Sequence, residues 1–496
     1  MKILITLALI LGFSVIVLPQ SVSKTLKSAE KALGGEKAFR ALRTLNARGS
    51  VLRKSDGATG SFSLTTAQPN LLYFRYDLNG TETETGYNGR SAWTRDTQGG
   101  LKTLTGKLSS DLQTRANFQN VLWFDQKRER AKITSTGMAQ VNGKMSNSVV
   151  YSTPKGASIR LYFDQASGLL VREEIPFGDA VQTFDFSDHR KINGVMMPYA
   201  MTITTGGDEL AVKFEDVKAN VSLGATTFDF PKLAGEPLPD SRALLVELQA
   251  NEDRVDNILD TYSYIQKSTT RAVGKDGVLS EKESETYQLS FYKGNRVRRL
   301  IEKNGKPLNE KDQAKEDQEV QKRVEEIEKR LASKDKDKED EESRRVSVAE
   351  LLRASRLINP RRERFRGRDV IVFDFEPNPD FDYKNAKSML KFFGKIAGVM
   401  WIDEKDKQVA RLEAYLAENF NIGGGVLAKL NKGASFVLEQ DRINDEIWLP
   451  SMADINLSVR VLMVKGVEVN AVVRSYDYKK FATEVKDAKV GDPRPN

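Results

Sequence analysis

Two periodicities organise this chain. Over residues 24–45, apolar side chains return at helical spacing. Leu26, Ala29, Ala32 and Leu33 form one stripe, Gly34 and Gly35 interrupt it, and Phe39, Leu42 and Leu45 resume it. After Asn46 the period falls to two, the mark of strands with one buried face. Alternating runs follow at 61–64 and at 71–76, the latter bounded by Pro69-Asn70 and Asn79-Gly80. The run 159–163 turns at Ser167-Gly168 and returns as 169–175, and 182–186 leads through Asn193-Gly194 to a strand ending near Thr205. A run at 212–214 closes the series. Many short strands with turns between them predict an antiparallel sheet or open barrel rather than βαβ units.

The pattern then starts again. Residues 233–240 hold two prolines and no periodicity, and read as a linker. A helix is predicted over 243–264, with Leu244, Leu245, Leu248, Val255 and Leu259 near one side, and strands restart at 287–291. The halves also end alike. Phe163-Asp164 precedes a turn and Ile192-Asn193-Gly194 begins a strand reaching Pro198, while Ile402-Asp403 and Ile443-Asn444 recur in that order before Pro450. This order predicts an internal duplication, with units over 24–232 and 241–485 and a disordered tail over 486–496. The segment 303–345 finds no counterpart: it is dense in Lys, Glu, Asp and Arg, with Val320, Val324, Ile327 and Leu331 at helical spacing. Residues 333–343 have almost nothing apolar and read as disordered or fraying. This charged insertion is a solvated helix or a mobile lid over the second sheet.

Composition narrows the setting. Lys2 is followed by an apolar run from Ile3 to Leu18, then Pro19 and small residues at Ser21 and Ser23, which predicts a signal peptide over 1–23. That run is shorter than the ~20 residues that span a bilayer. There is no cysteine, which excludes disulfides, thiolate metal sites and a lipid-bearing cysteine after the signal. The one histidine, His189, reads as a solvated turn residue, and its solitude excludes zinc clusters. The net charge of +8 is spread among both signs, so no nucleic-acid partner is expected, whereas peripheral contact with an anionic membrane fits.

Candidate chemistry is sparse. Asp374, Glu376, Asp380 and Asp382 cluster around Pro377 and Pro379, but the loop lacks the glycine of a calcium site, and a solvated strand end is the expectation. Gly423-Gly424-Gly425 lacks a P-loop ending and marks a hairpin or bulge. No catalytic signature and no cofactor motif is found, so no cofactor is expected. What remains is apolar area on strand faces: Leu72, Phe74 and Tyr76; Leu122 and Phe124; Phe184 and Phe186; Ile371, Phe373 and Phe375; Trp401; Phe436 and Leu438; Trp448. Two readings stand side by side, a dry core packed on a helix and a cavity that accepts an acyl chain.

These residues resemble a family. Pro69-Asn70-Leu71 and the hairpin Asn88-Gly89-Arg90-Ser91-Ala92-Trp93 are similar to motifs of the LolA/LolB-type periplasmic lipoprotein carriers. Phe163-Asp164 with its turn resembles their late hairpin, 227–231 their closing strand, and 32–38 the opening helix of the outer-membrane lipoprotein-sorting relatives. The resemblance is fuller over 24–231 than over 243–481. It implies an α+β, mainly antiparallel fold: two tandem unclosed β-barrels, each a curved sheet with a capping helix. It also implies binding of lipid or lipoprotein acyl chains, with Trp93 joining the cavity-lining residues above. Where those carriers place a lid-latching arginine before Pro-Asn-Leu, this chain has Gln68. The expectation is an exported, non-enzymatic lipid binder or carrier. Its alternatives are an envelope stress sensor or scaffold with a protein partner, and a hydrolase acting through Asp374 and Glu376.

Overall fold

A computed structural model describes residues 21–481, apart from 98–99, 155–156, 178–179, 232–237, 239–242, 245, 249, 252–257, 274–278, 333–347, 423–427 and 462–466. The expected signal peptide, linker and tail lie almost wholly outside the described residues, as do Gly423, Gly424 and Gly425 themselves.

The chain opens with α1 (Val22–Leu33) and α2 (Glu36–Arg40). Ser21 caps α1 by accepting the Lys24 N–H at 3.4 Å. Gly34 ends it at φ 114°, and a Cβ there would meet the Gly194 carbonyl oxygen at 2.1 Å. Only glycine supplies both the left-handed backbone and the close approach.

Six strands follow: β1 (Thr44–Arg53), β2 (Thr59–Ala67), β3 (Leu71–Leu78), β4 (Thr81–Tyr87), β5 (Ala92–Asp96) and β6 (Gly100–Thr103). Then come α3 (Gly106–Val121) and α4 (Gln126–Glu129). Seven more strands complete the first unit: β7 (Lys132–Val141), β8 (Lys144–Ser152), β9 (Ser158–Asp164), β10 (Leu170–Phe177), β11 (Ala180–Ile192), β12 (Val195–Thr205) and β13 (Asp208–Ala219). The sheet order is β6-β5-β4-β3-β2-β1-β13-β12-β11-β10-β9-β8-β7. First and last strands pair at the centre, and two antiparallel arms run outward to β6 and β7. The break between those ends is spanned in sequence by α3 and α4.

The second unit repeats this plan. It contains β14 (Tyr262–Val273), β15 (Leu279–Tyr292), β16 (Asn295–Lys303), β17 (Lys306–Pro307), α5 (Glu310–Ala332) and α6 (Val348–Arg353). There follow β18 (Ser355–Phe365), β19 (Arg368–Pro377), α7 (Ser388–Phe393), β20 (Ile396–Asp403) and β21 (Val409–Leu416). The unit ends with β22 (Phe420–Ile422), β23 (Ala428–Leu430), β24 (Ser435–Ile443), β25 (Ile447–Val461) and β26 (Val467–Lys480). Its main path is β17-β16-β15-β14-β26-β25-β24-β21-β20-β19-β18, again with first and last strands central. The duplicated turns fall at equivalent places: Ile192-Asn193 between β11 and β12, and Ile443-Asn444 between β24 and β25. Both sheets are curved, antiparallel and unclosed.

Several expectations need correction. The charged segment does have a counterpart, because α5 and α6 fall between the two sheet ends, as α3 and α4 do. Nor is α5 a lid over the second sheet. It lies along β16, beside the two-residue edge strand β17, where Glu316 accepts the Leu300 backbone N–H at 2.9 Å. The helix expected to reach residue 264 ends sooner, since β14 begins at Tyr262. Residues 122–124 follow helix α3 rather than lying in a strand, and 227–230 lie at and just after a turn over 225–228 rather than in a closing strand. Just after that turn the Phe230 ring packs 5.7 Å from Trp93. His189 sits partly buried within β11, not in a solvated turn.

The main core lies where helices cover the first sheet. Phe62, Phe184 and Phe214 project from strands, Ala29 and Phe39 from α1 and α2, and Phe118 from α3. Among the described residues, no helix is long and apolar enough to cross a membrane.

Candidate functional site

Alternation decides which large side chains reach the covered face of the first sheet. Leu72, Phe74, Leu122, Phe184 and Phe186 border an apolar cavity of about 140 Å³ beneath the helices. Leu33, Phe39, Leu42, Phe118 and Trp123 complete much of its wall. A second cavity of about 270 Å³ adjoins it, lined by Tyr76, Ile175, Ile203, Thr83, Thr85 and Thr94. Phe62, Phe74, Phe184 and Arg115 border both. Phe124 supports the wall through ring contacts with Phe39 at 5.7 Å and Trp123 at 5.1 Å.

The remaining sequence candidates are placed differently. Ala92 joins the α3-facing cluster with Leu72, so its neighbour Trp93 points to the opposite face, fully buried 6.1 Å from the Tyr73 ring. In the second unit, Ile371, Phe373 and Phe375 pack against Leu244, Leu248 and Met400. The Phe392 ring from α7 stacks on Phe436 at 6.4 Å. Trp401 takes the other face with Val370, Val372 and Val399. Trp448 also turns away, donating its indole N–H to Asp406 at 3.0 Å. Leu438 is 43% exposed and lines nothing. For Trp93 and Trp401 the cause is a one-residue step along the strand, which changes the face, whereas Leu438 shares the face of Phe436 and is left exposed there.

Two buried ionisable side chains in the first cavity escaped the sequence reading. Arg115 of α3 lies with its guanidinium carbon 4.2 Å from the Phe184 ring centroid and 5.3 Å from that of Phe74. Burial brings its pKa down to about 10, with Glu173 opposing that shift. Glu173 of β10 is 1% exposed and stands directly across from Phe184 in the strand register. Burial pushes its carboxyl up to about 7, against the pull of the Arg115 charge. Among the described residues, the Arg115 Nε and the Glu173 Oε1 have no hydrogen-bond partner. The available signal was an arginine three residues from both Leu112 and Phe118 on the apolar stripe of its helix. His189 borders the same cavity, and burial lowers its imidazole pKa, opposed by a bond with the Leu170 backbone.

Gln68 ties helix to sheet, its amide donating to the Arg40 and Leu42 carbonyls at 3.2 and 3.0 Å. From the other side, the Asn120 amide reaches the Leu71 carbonyl at 3.2 Å.

Asp374 is not a solvated strand end. It is fully buried between the two units. Its carboxylate accepts from Ser91, from Asn88 at 3.2 Å, from Asn359 at 2.8 Å and from Arg361 at 3.1 Å. Arg361 also bonds Glu363 at 3.0 Å and stacks 3.8 Å over the Phe230 ring. Glu376 is paired with Arg90 and Arg356. Oxygens already taken by structural donors make a poor base or nucleophile. A further cavity of about 440 Å³ lies between the units, bordered by Arg90, Lys107, Arg271, Glu413 and Phe436.

No family model matches the chain, and neither does any curated protein. Solved structures do match. A putative outer membrane lipoprotein-sorting protein domain from Vibrio parahaemolyticus is 11% identical with a TM-score of 0.30, covering 41% of this chain and 94% of its own. A LolA superfamily protein from Nitrosomonas europaea is 12% identical with a TM-score of 0.30, covering 42% and 98%. The MucA/MucB complex of Pseudomonas aeruginosa is 9% identical with a TM-score of 0.19, covering 92% and 100%.

Proposed function

We propose that this protein is an exported binder or carrier of lipid or lipoprotein acyl chains, and that the first unit holds the ligand. The supporting observation is the apolar cavity between the first sheet and its helices. An apolar void near ~150 Å³ stays dry and accepts small apolar guests. A longer chain needs the adjoining cavity or a shift of the helices. Each buried methylene contributes about 0.8 kcal/mol. The second unit is the scaffold, since Ile371, Phe373 and Phe375 on its inner face are packed against Leu244, Leu248 and Met400.

Native mass spectrometry of the protein taken from its own envelope tests this reading, together with displacement of a fluorescent fatty acid. A retained lipid and competition at one site are expected. Absence of both would sink the proposal. A second reading is an envelope sensor or scaffold, in which the second unit holds a protein partner. It is favoured by that filled face and by the exposed charged side of α5. Loss of a protein complex on deleting 303–345, with lipid content unchanged, would support it.

A further inference from the structure

We propose that the ligand of the first unit is a single-chain amphiphile ending in one carboxylate, bound with that carboxylate inward between Arg115 and Glu173. This rests on the acyl-chain reading above and adds the identity and direction of the head.

The geometry carries the argument. Arg115 is buried on the α3 stripe, sandwiched between Phe74 and Phe184 at the septum between the two cavities. One of its nitrogens reaches the Gln182 side-chain oxygen at 3.4 Å, and its Nε meets no acceptor among the described residues. Glu173 comes from the facing sheet and lines the apolar cavity with it, and its Oε1 meets no donor among the described residues. Each charge shifts the other, yet no ion pair joins them among the described residues. Buried polar groups are nearly always satisfied, so an orphan donor and an orphan acceptor bordering one apolar cavity mark the place of a missing polar group.

Charge and hydrogen bonding select the class. A carboxylate has one oxygen to accept from the Arg115 Nε and a second to share a proton with Glu173. With its carboxyl pushed up to about 7, Glu173 has that proton available near neutral pH. A phosphate monoester would bring a second negative charge towards Glu173. An alcohol has no charge for Arg115. The other ionisable groups nearby do not replace these two. His189 borders the cavity from β11, Asp111 is tied to Lys107 at 2.6 Å, and Asp208 borders the second cavity from β13. With the head at the septum, the hydrocarbon runs along Phe118 and Leu122 towards Leu42 and Leu33, and a twelve-carbon chain takes the shift of the helices that a cavity of about 140 Å³ requires of it.

The test uses the full chain, stripped of lipid, with dodecanoate, dodecanol and dodecyl phosphate competing against one fluorescent probe. Dodecanoate should bind at least about tenfold tighter than dodecanol, the scale of one charged hydrogen bond. Arg115→Met, which keeps an apolar body in the septum, should abolish the preference while still binding dodecanol. Equal binding of acid and alcohol overturns the head assignment and leaves acyl binding standing. Tighter binding of dodecyl phosphate overturns the carboxylate class. Failure of all three to bind overturns the acyl-chain reading itself. If Arg115→Met does not fold, the wild-type comparison decides alone.

Discussion

The Glu363 carboxylate accepts both the backbone N–H and the hydroxyl of Thr103, at 2.9 and 2.5 Å. Thr103 ends the last strand of the first sheet's β6 edge, and Glu363 belongs to the β18 edge of the second. A side chain therefore satisfies an edge-strand donor that would otherwise invite intermolecular pairing. Leu300 and Glu316 repeat the device at the other edge of the second sheet.

The buried network around Asp374 should couple the units. Asp374→Ala leaves Arg361, Asn359 and Ser91 short of an acceptor, and losing one partner of a buried charged cluster costs roughly 3–5 kcal/mol. Urea unfolding should show that loss, with one transition splitting into two. A cost below about 1 kcal/mol with a single transition would contradict it.

Glu173 predicts a pH dependence. Its folded pKa is raised from 4.5 to about 7, so the unfolded chain gives up this proton first as pH rises. Its contribution therefore weakens the fold progressively between those values, by about 3 kcal/mol at most at 1.4 kcal/mol per unit. Glu173→Gln should gain stability over wild type at pH near 8 and little at pH near 5. Denaturant midpoints at the two pH values decide, and a gain independent of pH would refute the assignment.

Filling the cavity should block ligand while sparing the fold. Ala47 is 2% exposed and borders the cavity, so Ala47→Phe places a ring in it. Probe binding should fall at least about tenfold, with an overpacking cost of roughly 1–3 kcal/mol. Unchanged binding would place the ligand elsewhere.

Helix α5 should act as an edge guard. Removing residues 308–347 exposes β16, and concentration-dependent oligomers are expected by light scattering. Glu316→Ala should do less, because the helix keeps the Arg299–Asp317 pair at 2.6 Å. A deletion variant that stays monodisperse at high concentration would argue against the guard.

The strands and the duplicated order were legible because period-two alternation and Asn turns are local signals. So was the break in the first helical stripe at Gly34, where the left-handed φ of 114° ends α1. Faces were less legible. Trp93, Trp401 and Trp448 read as cavity residues by size, yet each lies one step off its covered face. The charged segment looked unmatched because only its place between the two sheet ends, not its composition, is shared with α3 and α4.

By itself, the sequence determined that this chain builds two antiparallel units with turns at fixed places, since strand period and turn chemistry act within a few residues. The tertiary structure decided what the polar residues do. Asp374 looks like any strand-end carboxylate until Ser91, 283 positions away, closes on it. Arg115 and Glu173 look like surface charges until a helix and a sheet bring both into one apolar space. Burial and pairing are properties of the assembled layers, and they alone turn ordinary charges into a joint between units and a candidate ligand contact.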